Sequence, residues 1–307
     1  MTLPRSISRR RLGVLVALAA LVSISPSMLA QSPTSSAARP RPGQRVILVT
    51  GATSGLGREV ALRLAAGGAH VVVHGRDAAR GAEVVQEIER AGKGGARFYA
   101  ADFASNAEVR RFASDILRDY SRLDVLVNNA GIGSVPADRT LTPDGVEYRM
   151  QVNYLSTVLL TRLLLPRLLG SQPARIVNVS SLSASPIDFA DPMMANNFTG
   201  RRAYGQSKLS QVMFTFDLAA ELEGKGVIVN ALHPATLMPT AMVQRAGYTP
   251  RSTIDEGARA VLHLVVDPDV GTGGFFDGLS PTQAHPQAYD PDARARLKKL
   301  TEELIAR

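Results

Sequence analysis

From Arg45 onward the chain alternates two kinds of stretch. Apolar runs rich in β-branched residues stand at RVILVT (45–50), HVVVHG (70–75), LDVLVNN (123–129), RIVNVSS (175–181) and GVIVNALH (226–233). Two shorter runs, ARFYA (96–100) and GGFFDG (273–278), join them. The Val/Ile runs continue without polar alternation, which predicts strands covered on both faces. Between them, apolar residues recur at helical spacing over 56–67, 77–91, 105–120, 143–168, 201–223 and 256–266. Strand and helix in turn predict an α/β fold: a single Rossmann-type, doubly wound parallel sheet of about seven strands with helices on both faces. Ligands of such sheets lie beyond the carboxyl ends of the strands, so candidate chemistry is to be sought there.

The pattern before Arg45 is different. LGVLVALAALVSI (12–24) is an apolar run of 13 residues, short for a membrane-spanning helix. Arginines precede it and small residues follow, the three-part layout of a secretory signal. Ser8-Arg9-Arg10-Arg11-Leu12 resembles a twin-arginine signal. The expected organisation is an export signal or N-terminal anchor over 1–30 and a disordered Ser/Pro/Ala-rich linker over 31–44. A dinucleotide-binding oxidoreductase domain then fills 45–307. Export to the periplasm is the expected destination, with a membrane-anchored or cytoplasmic product as the alternative.

Charge and composition narrow the partners. Residues 1–45 carry seven arginines (5, 9, 10, 11, 39, 41 and 45) and no Asp, Glu or Lys, so of the net +8 only +1 falls on residues 46–307. The folded part therefore lacks the basic field of a nucleic-acid binder, and membrane contact is expected only through the N-terminal segment. The chain has no cysteine, which excludes disulfides and thiolate chemistry. Its histidines show no metal-ligand spacing, so no metal site is expected.

Directly after the first run comes Thr50-Gly51-Ala52-Thr53-Ser54-Gly55-Leu56-Gly57, leading into a helix. Gly51 suits a tight turn, Gly55 a close ligand approach and Gly57 helix–strand packing. The N–H groups from Ser54 to Gly57 would face a pyrophosphate. The second run ends in Gly75-Arg76-Asp77. An arginine here suits the 2′-phosphate of NADP better than the free hydroxyl of NAD, and Asp77 is placed to cap the next helix. Tyr204 and Lys208 stand one helical turn apart on one face. The chain uses 30 arginines and five lysines, so a lysine at 208 departs from its habit. A compact ammonium there can bond ribose hydroxyls and lower the pKa of a neighbouring phenol.

The GxxxGxG spacing, Asp102 after the third strand, Asn128-Asn129-Ala130-Gly131 after the fourth, Tyr204-x-x-x-Lys208 and Pro234 together resemble the short-chain dehydrogenase/reductase family over roughly 45–280. The resemblance implies that Asp102 and Phe103 border the adenine and that Asn129, Ala130 and Gly131 line the path to the nicotinamide. It implies Tyr204 as general acid–base, Ser181 (rather than Ser180) as donor to the substrate oxygen, and Asn153 as holder of a water linking Lys208 to solvent. Pro234 and Thr236 would meet the nicotinamide amide, although Pro234-Ala235 replaces the family's usual Pro-Gly. Ser181 lies 23 residues before Tyr204, a longer gap than is usual, as in the retinol-dehydrogenase-like and WW-domain-oxidoreductase-like branch.

His233 is expected to cap its strand rather than to catalyse. Helices 143–168 and 201–223 would carry a homodimer or homotetramer, again by resemblance. Segments 182–203 and 237–255 mix Met, Phe, Leu and Pro with few charges, which suits a small apolar carbonyl or alcohol. A non-catalytic nucleotide-binding or scaffolding protein is the rival reading, and an isomerase or dehydratase with a transient hydride step is another. Retention of Asn153, Ser181, Tyr204 and Lys208 together favours the NADP-dependent oxidoreductase.

Overall fold

The structure, a computed structural model, describes residues 39–306. The proposed leader over 1–30 lies outside them. Residues 41–44, the end of the expected linker, form a turn in which the Gln44 side chain donates to Gly68 O at 2.7 Å.

Six parallel strands form first: β1 (Val46–Val49), β2 (His70–Gly75), β3 (Gly95–Ala100), β4 (Val125–Asn128), β5 (Ala174–Val179) and β6 (Val227–His233). Then come β7 (Phe275–Asp277) and β8 (Ser280–Thr282). The sheet has eight strands in the order β3-β2-β1-β4-β5-β6-β7-β8, with all neighbours parallel except β7 and β8. The extra strand was not foreseen. It has three residues, carries Pro281 on the open edge and follows a two-residue turn, so it lacks a periodic signal.

The absence of polar alternation has its reason in the two cores. Val46 and Leu48 face one layer, built by α3 (Asn106–Asp119), α4 (Ser156–Leu169), α5 (Gly200–Glu221) and α8 (Pro291–Ile305). Ile47 and Val49 face the other, built by α1 (Gly55–Ala66), α2 (Ala78–Ala91) and α7 (Ile254–Val266). A short α6 (Ala241–Arg245) lies between β6 and α7. Asp77 caps α2 as expected, accepting from Arg80 N at 3.1 Å.

The helix expected over 143–168 begins differently. Leu141 and Glu147 form an isolated bridge, Met150–Leu155 is a wider π-helical segment, and regular α-helix starts only at Ser156. Sequence periodicity also missed α8, although Ala293, Leu297, Thr301 and Leu304 bury one stripe of it. This helix packs on α5, with Arg294 paired to Asp217 at 3.0 Å, and on the π segment, where Tyr154 and Thr301 hydroxyls meet at 2.7 Å. The stretch before it reaches the inserted loop. The Gln287 side chain accepts from Ile187 N at 2.7 Å and donates to Ile187 O at 3.1 Å, while Arg296 lies 4.5 Å over the Phe189 ring. Among the described residues no helix is long and apolar enough to cross a membrane.

Candidate active site

Strand order reverses between β1 and β4, so their carboxyl ends open the crevice of a doubly wound sheet. Thr50 closes its floor. Its Oγ1 accepts from Asn129 N and Ala130 N, both at 2.9 Å, and the Asn129 amide returns to Thr50 O at 2.9 Å and Gly51 O at 3.2 Å. This close crossing decides two glycines. A Cβ on Gly51, at φ +65°, would stand 2.8 Å from Ala130 Cα. One on Gly57 would meet Gly51 O at 2.3 Å and Asn129 Nδ2 at 2.4 Å. Gly57 therefore makes room for the Asn129 side chain and not only for helix packing. Asn129 itself is occupied in holding the turn. Ser54, the exposed N-cap of α1, makes no side-chain cap, the first helical turn carries no acid, and Leu56 is buried. The N–H groups of that turn are thus available to an anion.

Just past β2, Arg76 Nη1 donates to the Tyr148 hydroxyl at 3.3 Å and stands 4.0 Å from Asp102 Oδ2. Its side chain is 59% exposed. The Phe103 ring does not border open space: it is buried and stacked on His74, centroids 4.1 Å apart. Gly51 N donates to His74 Nδ1 at 3.2 Å, so the ring proton sits on Nε2 and is given to Ala101 O at 3.2 Å. One neutral imidazole thereby ties the glycine turn to the end of β3.

At the other end, α5 brings Tyr204 and Lys208 beside the end of β5. Of the two serines, Ser180 donates to Lys208 O at 2.8 Å, whereas Ser181 Oγ accepts from Ser183 N at 3.0 Å and stays clear of Lys208 O. The phenol is pushed above its ordinary pKa by burial, with Ser181 pulling the other way. This corrects the expectation of a phenol lowered by the neighbouring ammonium. Lys208 Nζ lies 5.8 Å from the Tyr204 ring centroid and donates to Val179 O at 2.8 Å and Gln211 Oε1 at 2.9 Å. Burial pushes the ammonium itself down to about 7.

Asn153 sits in the π segment with its side chain fully engaged. Its Oδ1 accepts from Ile132 N at 2.8 Å, and its Nδ2 donates to Ile132 O at 3.1 Å and Ser207 Oγ at 2.9 Å. The side chain thereby braces the loop after β4 against α5. Gly131 lies within that brace, where a Cβ would be 3.2 Å from Asn153 Oδ1 and 3.5 Å from Lys208 Nζ. The continuation of the loop is held by buried Arg149, which donates to Gly133 O at 2.9 Å and Ser134 O at 3.0 Å and pairs with Glu147 at 3.2 Å.

His233 ends β6 and bonds the Thr236 hydroxyl at 3.0 Å; burial lowers its pKa, against a weaker pull from Asp277. Pro234, just past that strand, is buried. Thr240, not Thr236, reaches the glycine turn, its methyl 3.1 Å from where a Gly55 Cβ would stand.

The family model for short chain dehydrogenases matches residues 45–250. Mouse retinol dehydrogenase 14 is 35% identical over 288 residues, covering 85% of this chain and 86% of that protein. The chain belongs to the short-chain dehydrogenase family. Among solved structures, a Mycobacterium paratuberculosis protein matches with a TM-score of 0.71 at 32% identity, covering 87% of this chain and 96% of that one. A Shigella flexneri short chain dehydrogenase complexed with NADP matches with a TM-score of 0.61 at 29% identity, covering 77% and 97%.

In this short-chain dehydrogenase the glycine turn, Arg76 and Asp102 stand at the ends of β1 to β3 and Tyr204 and Lys208 beside the end of β5, whereas Phe103 turns into the core. Thr50, His74, Thr157, Ser207 and Gln211 escaped notice because each acts through partners remote in sequence.

Burial lowers the His74 pKa to about 3 from an ordinary 6.5. The unfolded chain takes up that proton first, so stability is complete above pH 6.5 and lost as pH falls towards 3. His74→Gln cannot titrate, and its melting temperature is expected to fall less steeply than the wild type's over that interval. Parallel slopes in a pH series of thermal melts would contradict this.

Proposed function

We propose that this oxidoreductase prefers NADP and transfers a hydride between the nicotinamide and an apolar carbonyl or alcohol, with Tyr204 as general acid–base. One observation carries the reading: a buried Lys208, bonded to the last carbonyl of β5, lies one helical turn from Tyr204 with its ammonium 5.8 Å from that ring's centroid. The cofactor, when bound, supplies or accepts the hydride at its nicotinamide. Ser181 donates to the substrate oxygen, and Tyr204 hands it a proton as negative charge develops there. A phenol held above its usual pKa is fully protonated at neutral pH, which is the form carbonyl reduction consumes. The Lys208 ammonium stabilises the phenolate left behind. In alcohol oxidation the same groups run in reverse.

The residues present fit NADP. The first turn of α1, without a side-chain cap or an acidic residue, offers its N–H groups to a pyrophosphate, and the exposed Arg76 offers a guanidinium to a 2′-phosphate. The NADP complex of the Shigella relative supports the same preference. Ile187 and Met194 are buried packing residues, whereas Leu182 and Met242 stay exposed on the segments flanking the site. Those two, with no charged cluster beside them, support an apolar substrate. For the N-terminal segment over 1–30, we propose twin-arginine-type export of the domain already folded around its cofactor.

Tyr204→Phe is expected to lower kcat for reduction of a lipophilic aldehyde by about a hundredfold to ten-thousandfold, with NADPH affinity nearly unchanged. Turnover that survives in this variant would remove Tyr204 from the reaction. Arg76→Asp is expected to cut the NADP/NAD ratio of kcat/KM by about tenfold to a hundredfold, the worth of one charge-assisted contact. An unaltered ratio would overturn the cofactor preference. Fractionation with N-terminal sequencing is expected to recover a shortened chain outside the cytoplasm. A full-length cytoplasmic product would rule export out.

A further inference from the structure

Lys208 is unusual for an internal charge. It is 4% exposed, and desolvation alone displaces its pKa, with no carboxylate acting on it. Groups of four elements face it. Tyr204 and Gln211 come from α5, and Val179 O, Ser180 and Ser181 from the end of β5. Asn153 comes from the π segment and Gly131 from the loop after β4. Tyr204 is the single titratable group among these. What compensates the ammonium is therefore a pair of neutral oxygens, Val179 O and Gln211 Oε1.

The first is backbone and fixed by the sheet. The second is a side-chain amide, and a neighbour dictates which way round it sits. The Thr157 hydroxyl donates to Asn153 O at 3.0 Å, so it can only accept from Gln211 Nε2, 3.3 Å away. With its nitrogen turned to Thr157, the amide must present oxygen to Lys208. Gln211 is anchored further by its own carbonyl, which accepts from the Thr215 hydroxyl at 2.8 Å; Thr215 in turn accepts from Asn178 Nδ2 at 2.8 Å. Gln211 and Thr215 are wholly buried and Thr157 nearly so. Two of the three ammonium donors are used this way, which leaves one for a ligand.

We propose that Gln211 is a positioning residue of the site: oriented by Thr157, its carboxamide oxygen holds the Lys208 ammonium in place and keeps it charged. The consequence for turnover rests on the reading of Tyr204 and Lys208 as the reacting pair, whereas the effect on Lys208 does not. Losing the oxygen lowers the Lys208 midpoint, and an acid in its place raises it. Because reduction needs the charged lysine, the alkaline limb of its pH profile moves in the same direction as that midpoint.

The test uses the full chain with lysine labelled at the ε-carbon. Five lysines give a simple spectrum, and Lys208→Arg identifies the signal. From a wild-type midpoint of about 7, Gln211→Leu is expected to shift titration down by about one pH unit, and Gln211→Glu to shift it up. Thr157→Val, which frees the amide to turn, is expected to shift it down by less, and carries the test if Gln211→Leu fails to fold. In carbonyl reduction with NADPH the alkaline limb follows the midpoint in each variant. A merely structural role would lower rates at every pH and leave the midpoint in place.

An unmoved midpoint in Gln211→Leu, or in Thr157→Val, overturns the proposal even if Tyr204-dependent turnover is intact. Shifted midpoints without turnover in any form sustain the role of Gln211 and remove the oxidoreductase chemistry proposed above.

Discussion

The structure depends on the crossing of β1 and β4 at their carboxyl ends. There a threonine hydroxyl accepts from two successive backbone N–H groups while an asparagine amide reaches back to two successive carbonyls. Four hydrogen bonds lock two loops that would otherwise diverge where the sheet changes direction. Each loop then serves a different end of the crevice: the one after β1 opens the anion-binding helix, and the one after β4 runs on to the Asn153 brace and Lys208. The glycines at 51 and 57 are the steric condition for this crossing, since any Cβ would drive the loops apart.

Polar groups inside the protein are handled in the same spirit throughout. His74 is kept neutral by burial and held in one tautomer by two backbone partners, Asn153 is braced against Ile132 and Ser207, and Lys208 is held by oxygens that carry no charge. A carboxylate beside Lys208 would have neutralised it and weakened its field at the phenol. Neutral acceptors preserve the field while meeting the need for hydrogen bonds. Burial raises the pKa of Tyr204 and lowers that of Lys208, so the pair rests with its phenol protonated.

Much of this was legible in the sequence, for physical reasons. Strands such as Val46–Val49 are buried on both faces, and that condition alone removes polar alternation. The glycine turn and the Tyr204–Lys208 spacing are local, so geometry follows from neighbours in the chain. Other features are set by distant partners and leave no local trace. His74 reads as one more strand residue until Gly51 and Ala101 are seen beside it. Gln211 reads as a polar position on a helix until Thr157 fixes its orientation. The lowered phenol expected from a nearby ammonium failed because burial desolvates the phenol, which a spacing argument does not see. The C-terminal helix was missed because its apolar stripe is interrupted by arginines, lysines and glutamates, which reach solvent over its outer face.

The grip of Gln287 on both polar groups of the Ile187 backbone bears on how the molecule matures. Ile187 belongs to the loop inserted between Ser181 and Tyr204, and Gln287 lies 100 residues further along the chain. The sheet and the glycine turn contain their own partners and can assemble during synthesis. The loop between Ser181 and Tyr204 is held only once the chain past β8 has been made, so the glycine turn can take its form before that loop does.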